Sequence, residues 1–162
     1  MIVAVTGFAF LVSLTPSDSL RAQINAANKS FEALMVKKDL TGLMAIMKED
    51  VTPDFKHVED GKTINFQQMS SMMKMGLGMM GKITQAVYKT TDVKVTGTHG
   101  TSTTFHKIAG TMVGADKKSH TMVFTGTTTD SYTKDGAKWK MSKMVWTSQT
   151  RSVDGKVLGA AK

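Results

Sequence analysis

A histidine placed beside a carboxylate is the one acid–base pair this chain can offer near neutral pH, because an imidazole titrates there and a neighbouring carboxylate tunes it. Four histidines and thirteen acidic residues supply the candidates. The best-placed pair is His106 and Asp130. A turn centred near Asp116 sets Met122 opposite Gly110, Phe124 opposite Ile108 and Gly126 opposite His106. Side chains alternate along strands, so the even-numbered residues of 101–113 and 119–133 share a face. That face carries Ile108, Met112, Met122 and Phe124, and with them His106, Thr128, Asp130 and Tyr132. A second turn at Asp135-Gly136 puts Tyr132 opposite Trp139 and Asp130 opposite Met141. It also sets Lys143 opposite Thr128, as a rival ion-pair partner for Asp130. The same polar residues suit a wall that shapes a ligand without catalysis, or a plain sheet rim. His57, close to Glu59 and Asp60, reads as an exposed strand residue, and Asp60-Gly61 as a turn.

Other chemistries are absent from the sequence. His57, His99, His106 and His120 lack the paired spacing of a metal site such as H-E-x-x-H. No phosphate-cradling loop, G-x-S-x-G elbow or dinucleotide fingerprint occurs, and neither a metal nor a cofactor is expected. With no cysteine, thiolate chemistry, cysteine metal sites and disulfides are excluded. The fourteen methionines are the compositional oddity, six of them within Met69–Met80. Unbranched and polarizable, methionine lines irregular apolar spaces as readily as it fills a core. Met69-x-x-Met72 and Met73-x-Met75 also have spacings usable for Cu(I), although the helical core pattern accounts for most of these residues.

The elements that position these residues follow from periodicity. Leu20, Ile24, Ala27, Phe31, Leu34 and Met35 recur at three and four, giving a first helix capped at Ser17 or Ser19. Asp39 caps a second helix with Leu40, Leu43, Ile46 and Met47 inward. A strand over 51–58 contains Pro53, which suits an edge or a bulge. Asn65 caps a third helix, expected to loosen after Met75 because Gly76, Gly78 and Gly81 follow. Strands over 83–96, 101–113, 119–133 and 137–151 complete the chain, with Thr121, Thr125, Thr127, Thr129 and Thr133 on the face away from the helices. Phe31, Leu34, Met69, Met73, Phe124 and Trp139 are expected inside.

At 162 residues the chain suits one domain that buries roughly two-thirds of its unfolded surface. Ile2–Leu14 is apolar and then broken by Thr15-Pro16-Ser17-Asp18-Ser19, too short for a bilayer span but the length of a signal-peptide core. No lysine or arginine precedes it. Residues 1–19 are therefore expected to be an export signal, 20–153 the folded domain and 154–162 a tail, with no stable membrane span after cleavage. The net charge of +8 is nearly all lysine, scattered over turns and strand faces, so it reads as a solvated basic surface and not a nucleic-acid interface.

Helices first and a long strand meander after define an α+β class, with three helices on one face of a strongly curved antiparallel sheet. The stretch KKDLTGLMAIMKED, then VEDG before the third helix, then the late KWKMSKM strand, resembles the nuclear transport factor 2-like superfamily in that order. The resemblance spans about Leu20 to Val153 and implies a cone with an internal pocket. The superfamily includes ketosteroid isomerases, polyketide cyclases, dehydratases and exported binding domains. In the isomerase branch the general base sits in a stretch like His57-Val58-Glu59-Asp60, which makes Asp60 a candidate. The oxyanion tyrosine of that branch would fall about a turn before Leu34, where this chain has Ser30. Without that donor steroid-isomerase chemistry is not expected, so no catalytic residue carries over.

The expectation is an exported domain binding a small apolar ligand, dimerising through its sheet, with Phe31, Met69, Met72, Met73, Ile108, Met122, Phe124, Thr128 and Trp139 on the pocket wall. The alternatives are an acid–base enzyme of the cyclase, dehydratase or isomerase type, with His106, Asp130, Tyr132 and Asp60 as candidates, and an interaction module that uses the threonine face.

Overall fold

The computed structural model describes residues 15–161, so the apolar run 2–14 lies outside the described residues. Helix α1 (Pro16–Lys37) is capped two residues before Ser17 and four before Ser19: Thr15 accepts the Asp18 amide at 3.2 Å, and Pro16 takes the first-turn position where a missing N–H costs nothing. It ends at Lys38, whose left-handed φ of 55° turns the chain into α2 (Leu40–Asp50), capped by Asp39 through the Gly42 amide at 2.9 Å. Strand β1 (Val51–Glu59) turns at Asp60-Gly61 into the short β2 (Lys62–Ile64). An Asn65–Gln68 capping box then opens α3 (Phe66–Met79). This helix runs past Gly76 and Gly78, contrary to the expected loosening after Met75. Buried Leu77, and Met80 just beyond its end, anchor it against the core.

Strands β3 (Met80–Thr96), β4 (His99–Val113), β5 (Ser119–Asp135), β6 (Lys138–Val153) and β7 (Lys156–Ala161) follow. The sheet is seven-stranded in the order β2-β1-β6-β5-β4-β3, with β7 also on β6. The α+β class and the helix-covered curved sheet hold. One pair departs from the antiparallel expectation: β1 runs parallel to β6, because no hairpin joins them to dictate direction. Pro53 lies where the β1–β6 register shifts, so it marks a bulge and not an edge strand. Residues read as a tail form a turn and β7, which takes the stretch of β6 beyond the one that pairs with β1.

The β4–β5 register agrees with the turn-based reading at Met122–Gly110, Phe124–Ile108 and Gly126–His106. The β5–β6 register differs. Tyr132 pairs with Met141, not Trp139, and Asp130 with Met144, not Met141. The hairpin starts two positions further along, and bulges at Ser131/Tyr132 and Thr127/Thr128 each advance β6 by one more residue. Lys143 accordingly sits exposed opposite Ser131 rather than beside Thr128.

Two apolar clusters hold helices to sheet. Met35, Leu43, Leu77, Met80, Ile83 and Ala86 form one; Leu20, Ile24, Val93, Tyr132 and Trp139 form the other. Gly100 in β4 admits the second cluster, since a Cβ there would collide with the Leu20 side chain. The Gln23 side chain closes the same end by accepting the Trp139 amide at 2.9 Å.

Candidate functional site

Between the clusters the cone is hollow. An outer chamber of about 410 Å³ adjoins a smaller inner one of about 110 Å³, and Phe31, Met47, Tyr88, His106 and Met144 line both. Ten of the fourteen methionines line the outer chamber. Its wall carries a row of rings that runs across the sheet. Phe31 meets Tyr88 edge-on at 5.2 Å, Tyr88 meets His106 at 5.1 Å, His106 meets Trp146 at 4.8 Å, and Trp146 meets Phe124 at 5.4 Å. Gly126, beside His106, leaves room for this row, because a Cβ there would strike the Trp146 ring.

His106, Thr128 and Asp130 are all buried and on one face. The His106 Nε2 lies 2.8 Å from Thr128 Oγ1, and the same hydroxyl donates to Asp130 Oδ2 at 3.2 Å. A hydroxyl has one proton to give, so the histidine nitrogen must donate to it. That fixes the Nε2–H tautomer and leaves Nδ1 as the basic atom. Ser102 adds a second hydroxyl on Asp130 Oδ2 at 3.3 Å, while Oδ1 has no hydrogen-bond partner among the described residues. Burial pushes the Asp130 carboxyl up to about 6, against the pull of the Thr128, Ser102 and Thr104 hydroxyls. Burial also lowers His106 to about 4, so its ring is neutral at neutral pH. Tyr132 lies in the inner chamber, its phenol driven upward by burial.

The anticipated wall residues divide. Phe31, Met69, Met72, Met73, Ile108, Met122 and Phe124 line the outer chamber. Trp139 lines only the inner one. Thr128, fully buried, lines neither and serves as the link between His106 and Asp130. Met75, offered with Met73 as a metal pair, is 65 % exposed and outside the cavity. Phe31, Met73 and Phe124 are only partly buried, since the cavity takes the place of packing on one side, and Leu34, which lines neither chamber, is partly buried as well.

Asp60 fails as a base. It is exposed with φ of 50° in the β1–β2 turn, outside both chambers. His57 is the converse: expected on the surface, it is 6 % exposed and faces the outer chamber, because β1 is an interior strand. Its Nε2 lies 3.1 Å from Glu59 Oε2, and Gln149 donates to Glu59 Oε1 at 2.8 Å. The His57 bond holds the Glu59 carboxyl below its usual range, with burial opposing and Gln149 assisting. His57 and Glu59 stand at i and i+2, the strand signature of a shared face, which was the available signal. Trp146 carried none, for only the first bulge turns it inward, whereas Gln149 and Arg151 fall on the same odd-numbered alternation as Trp139 and Met141, which the second bulge restores.

The sequence profile of the SnoaL-like domain family matches residues 18–145. No curated protein matches the chain by sequence. Among solved structures, a nuclear transport factor 2-like family protein from Streptomyces avermitilis, provisionally named a dehydratase, is 17 % identical with a TM-score of 0.57, over 80 % of this chain and 96 % of its own. A nuclear transport factor 2-like superfamily protein from Salmonella enterica serovar Typhimurium is 13 % identical with a TM-score of 0.56, over 80 % and 90 %. A type 2 hexachlorocyclohexane dehydrochlorinase is 15 % identical with a TM-score of 0.57, over 82 % and 88 %. At these identities the likeness is one of fold.

Proposed function

The chain belongs to the SnoaL-like domain family, and from that premise we propose that it binds a small, largely apolar molecule in the outer chamber of its cone. The observation that supports this is the chamber itself: about 410 Å³, walled by methionine and a row of rings. Burial of apolar area drives such binding, and flexible thioethers let the wall adapt to shape. Gly76 provides the test. It lines the chamber, and a Cβ added there meets nothing within 4 Å. Gly76→Leu should fill the cavity without straining the helix. Nile red, a neutral apolar fluorophore, should bind the natural protein and lose roughly ten-fold or more in affinity to the variant. Equal affinity with an unchanged melting temperature would place the dye elsewhere and sink the proposal.

A second reading rests on His106. Its neutral ring faces both chambers with one nitrogen committed to Thr128, the state a general base requires. The dehydrochlorinase of similar fold is named for an elimination, and loss of a proton from carbon belongs to such chemistry. On this reading the protein should exchange the α-protons of small cyclic ketones with deuterated solvent. His106→Gln should slow that exchange about 100-fold; exchange at the same rate excludes His106 as the base.

We also propose export and self-association. Thr15 caps α1 and Leu20 is wholly buried, which argues for cleavage ahead of Thr15 rather than near Leu20. N-terminal sequencing of secreted material decides where cleavage falls, and protein retained in the soluble cell fraction with Met1 intact refutes export. A dimer through the threonine face of β5 should sediment as such and dissociate on Thr129→Lys; a monomeric natural protein removes the idea.

A further inference from the structure

The inner chamber is chemically unlike the outer one. Asp130 and Asp50 both line it, and among the described residues no lysine or arginine does. Asp130 is 2 % exposed, and among the described residues its Oδ1 has no hydrogen-bond partner, although the Thr104 hydroxyl of the same chamber is close enough to pull on the carboxyl. Nearby amides are already engaged: Gln23 bonds both the N–H and the carbonyl of Trp139, and Asn28 donates to Thr90. Phe31, Tyr88, Tyr132 and Trp139 contribute rings to the same wall. A buried carboxylate oxygen without a donor is costly to leave so, and calls for an N–H or O–H from the occupant.

We propose that the inner chamber recognises a primary or secondary ammonium group at the end of an apolar ligand whose body fills the outer chamber. This deepens the binding reading and rests on it. An ammonium supplies the donor that Oδ1 lacks and the positive charge that two carboxylates favour, while the rings add cation–π attraction. A ligand ending in a carboxylate would meet like charge in a buried space. A neutral alcohol would satisfy Oδ1 but leave the charge uncompensated. The buried indole N–H of Trp139, also without a partner, suits an acceptor oxygen on the same molecule. The titratable groups around Asp130 do not compete for it. His106 on β4 is neutral, Tyr88 on β3 and Tyr132 on β5 are phenols pushed upward by burial, and Asp50 on α2 is itself acidic.

The test compares decylamine, 1-decanol and decanoate, each below its critical micelle concentration, as displacers of Nile red near pH 7.5. The amine should bind about ten-fold tighter than the alcohol, and decanoate weaker than both. Asp130→Asn should shrink the preference for the amine over the alcohol to about two-fold. Lowering the pH of the natural protein to about 5 should shrink it likewise, since Asp130 is then protonated. Decanol binding as tightly as decylamine overturns the ammonium site while leaving the apolar cavity standing. Failure of all three to displace the dye overturns the cavity reading as well. Should Asp130→Asn not fold, Asp50→Asn at its half-buried position replaces it. An amine preference that survives both that change and the lower pH refutes the proposal.

Discussion

His106 and Asp130 hydrogen-bond the same threonine hydroxyl, and burial moves their titrations in opposite senses. The consequence for stability is a near-cancellation. His106 falls from 6.5 to about 4 on folding, so the unfolded chain takes up its proton first and stability is lost as pH drops through that window. Asp130 rises from 3.8 to about 6, so the folded chain takes up its proton first and stability is gained over nearly the same range. Each effect is on the order of 3 kcal/mol. Asp130→Asn should therefore lose about 3 kcal/mol more than the natural protein between about pH 6.5 and 4. His106→Gln should gain a similar amount relative to it. Urea denaturation across that range measures both; parallel profiles for all three proteins would mean that neither group is buried as described. At this scale the sequence was informative where alternation alone sufficed. The turn at residues 114–118 put His106, Thr128 and Asp130 on one face, and they are there.

At the scale of elements, α3 and the β5–β6 pair show where local signals mislead. Two glycines near the end of α3, Gly76 and Gly78, weaken its intrinsic helicity, yet Leu77 and Met80 pack against the core and carry the helix through. Gly78 sits in open space at an ordinary helical φ, so its flexibility serves no geometry visible in the fold. Gly78→Ala should raise stability by about 1 kcal/mol. Gly110 is the opposite case, because a Cβ there would meet the Lys82 carbonyl across the β3–β4 pair. Gly110→Ala should cost at least about 2 kcal/mol. Thermal melts of the two variants should move in opposite directions, and a shared sign would contradict this account of the glycines. In β6 each bulge reverses which side chains face inward. The first brings in Met144 and Trp146, and the second restores the alternation of Trp139 and Met141, so that Gln149, Arg151 and Val153 face inward. No residue type announces either bulge.

For the molecule as a whole, stability and binding occupy different places. The two apolar clusters bracket a cavity, and the residues around that cavity are packed on one side only. Trp139, 1 % exposed within a cluster, should cost about 3–5 kcal/mol when changed to alanine. Phe31, partly buried and lining both chambers, should cost less than half as much, since much of its removed volume merges with space already present. The order should reverse for Nile red, with Phe31→Ala the more damaging to affinity. Denaturation and dye titration on the two proteins test this together; a Phe31 change costing as much stability as Trp139 would mean the cone is filled by packing.

The amino-acid sequence alone determined the class, the number and order of the main helices and strands, the absence of cysteine chemistry, and the face shared by His106 and Asp130. Each depends on short-range periodicity, which a linear chain displays. Tertiary structure decided the parallel pairing of β1 with β6, the burial of His57, the entry of Trp146 into the wall, and the division of the cavity into an apolar and an acidic chamber. Those features arise where segments far apart in the chain meet and where one inserted residue inverts a strand. Neither the partner of a strand nor the parity after a bulge is written in local composition.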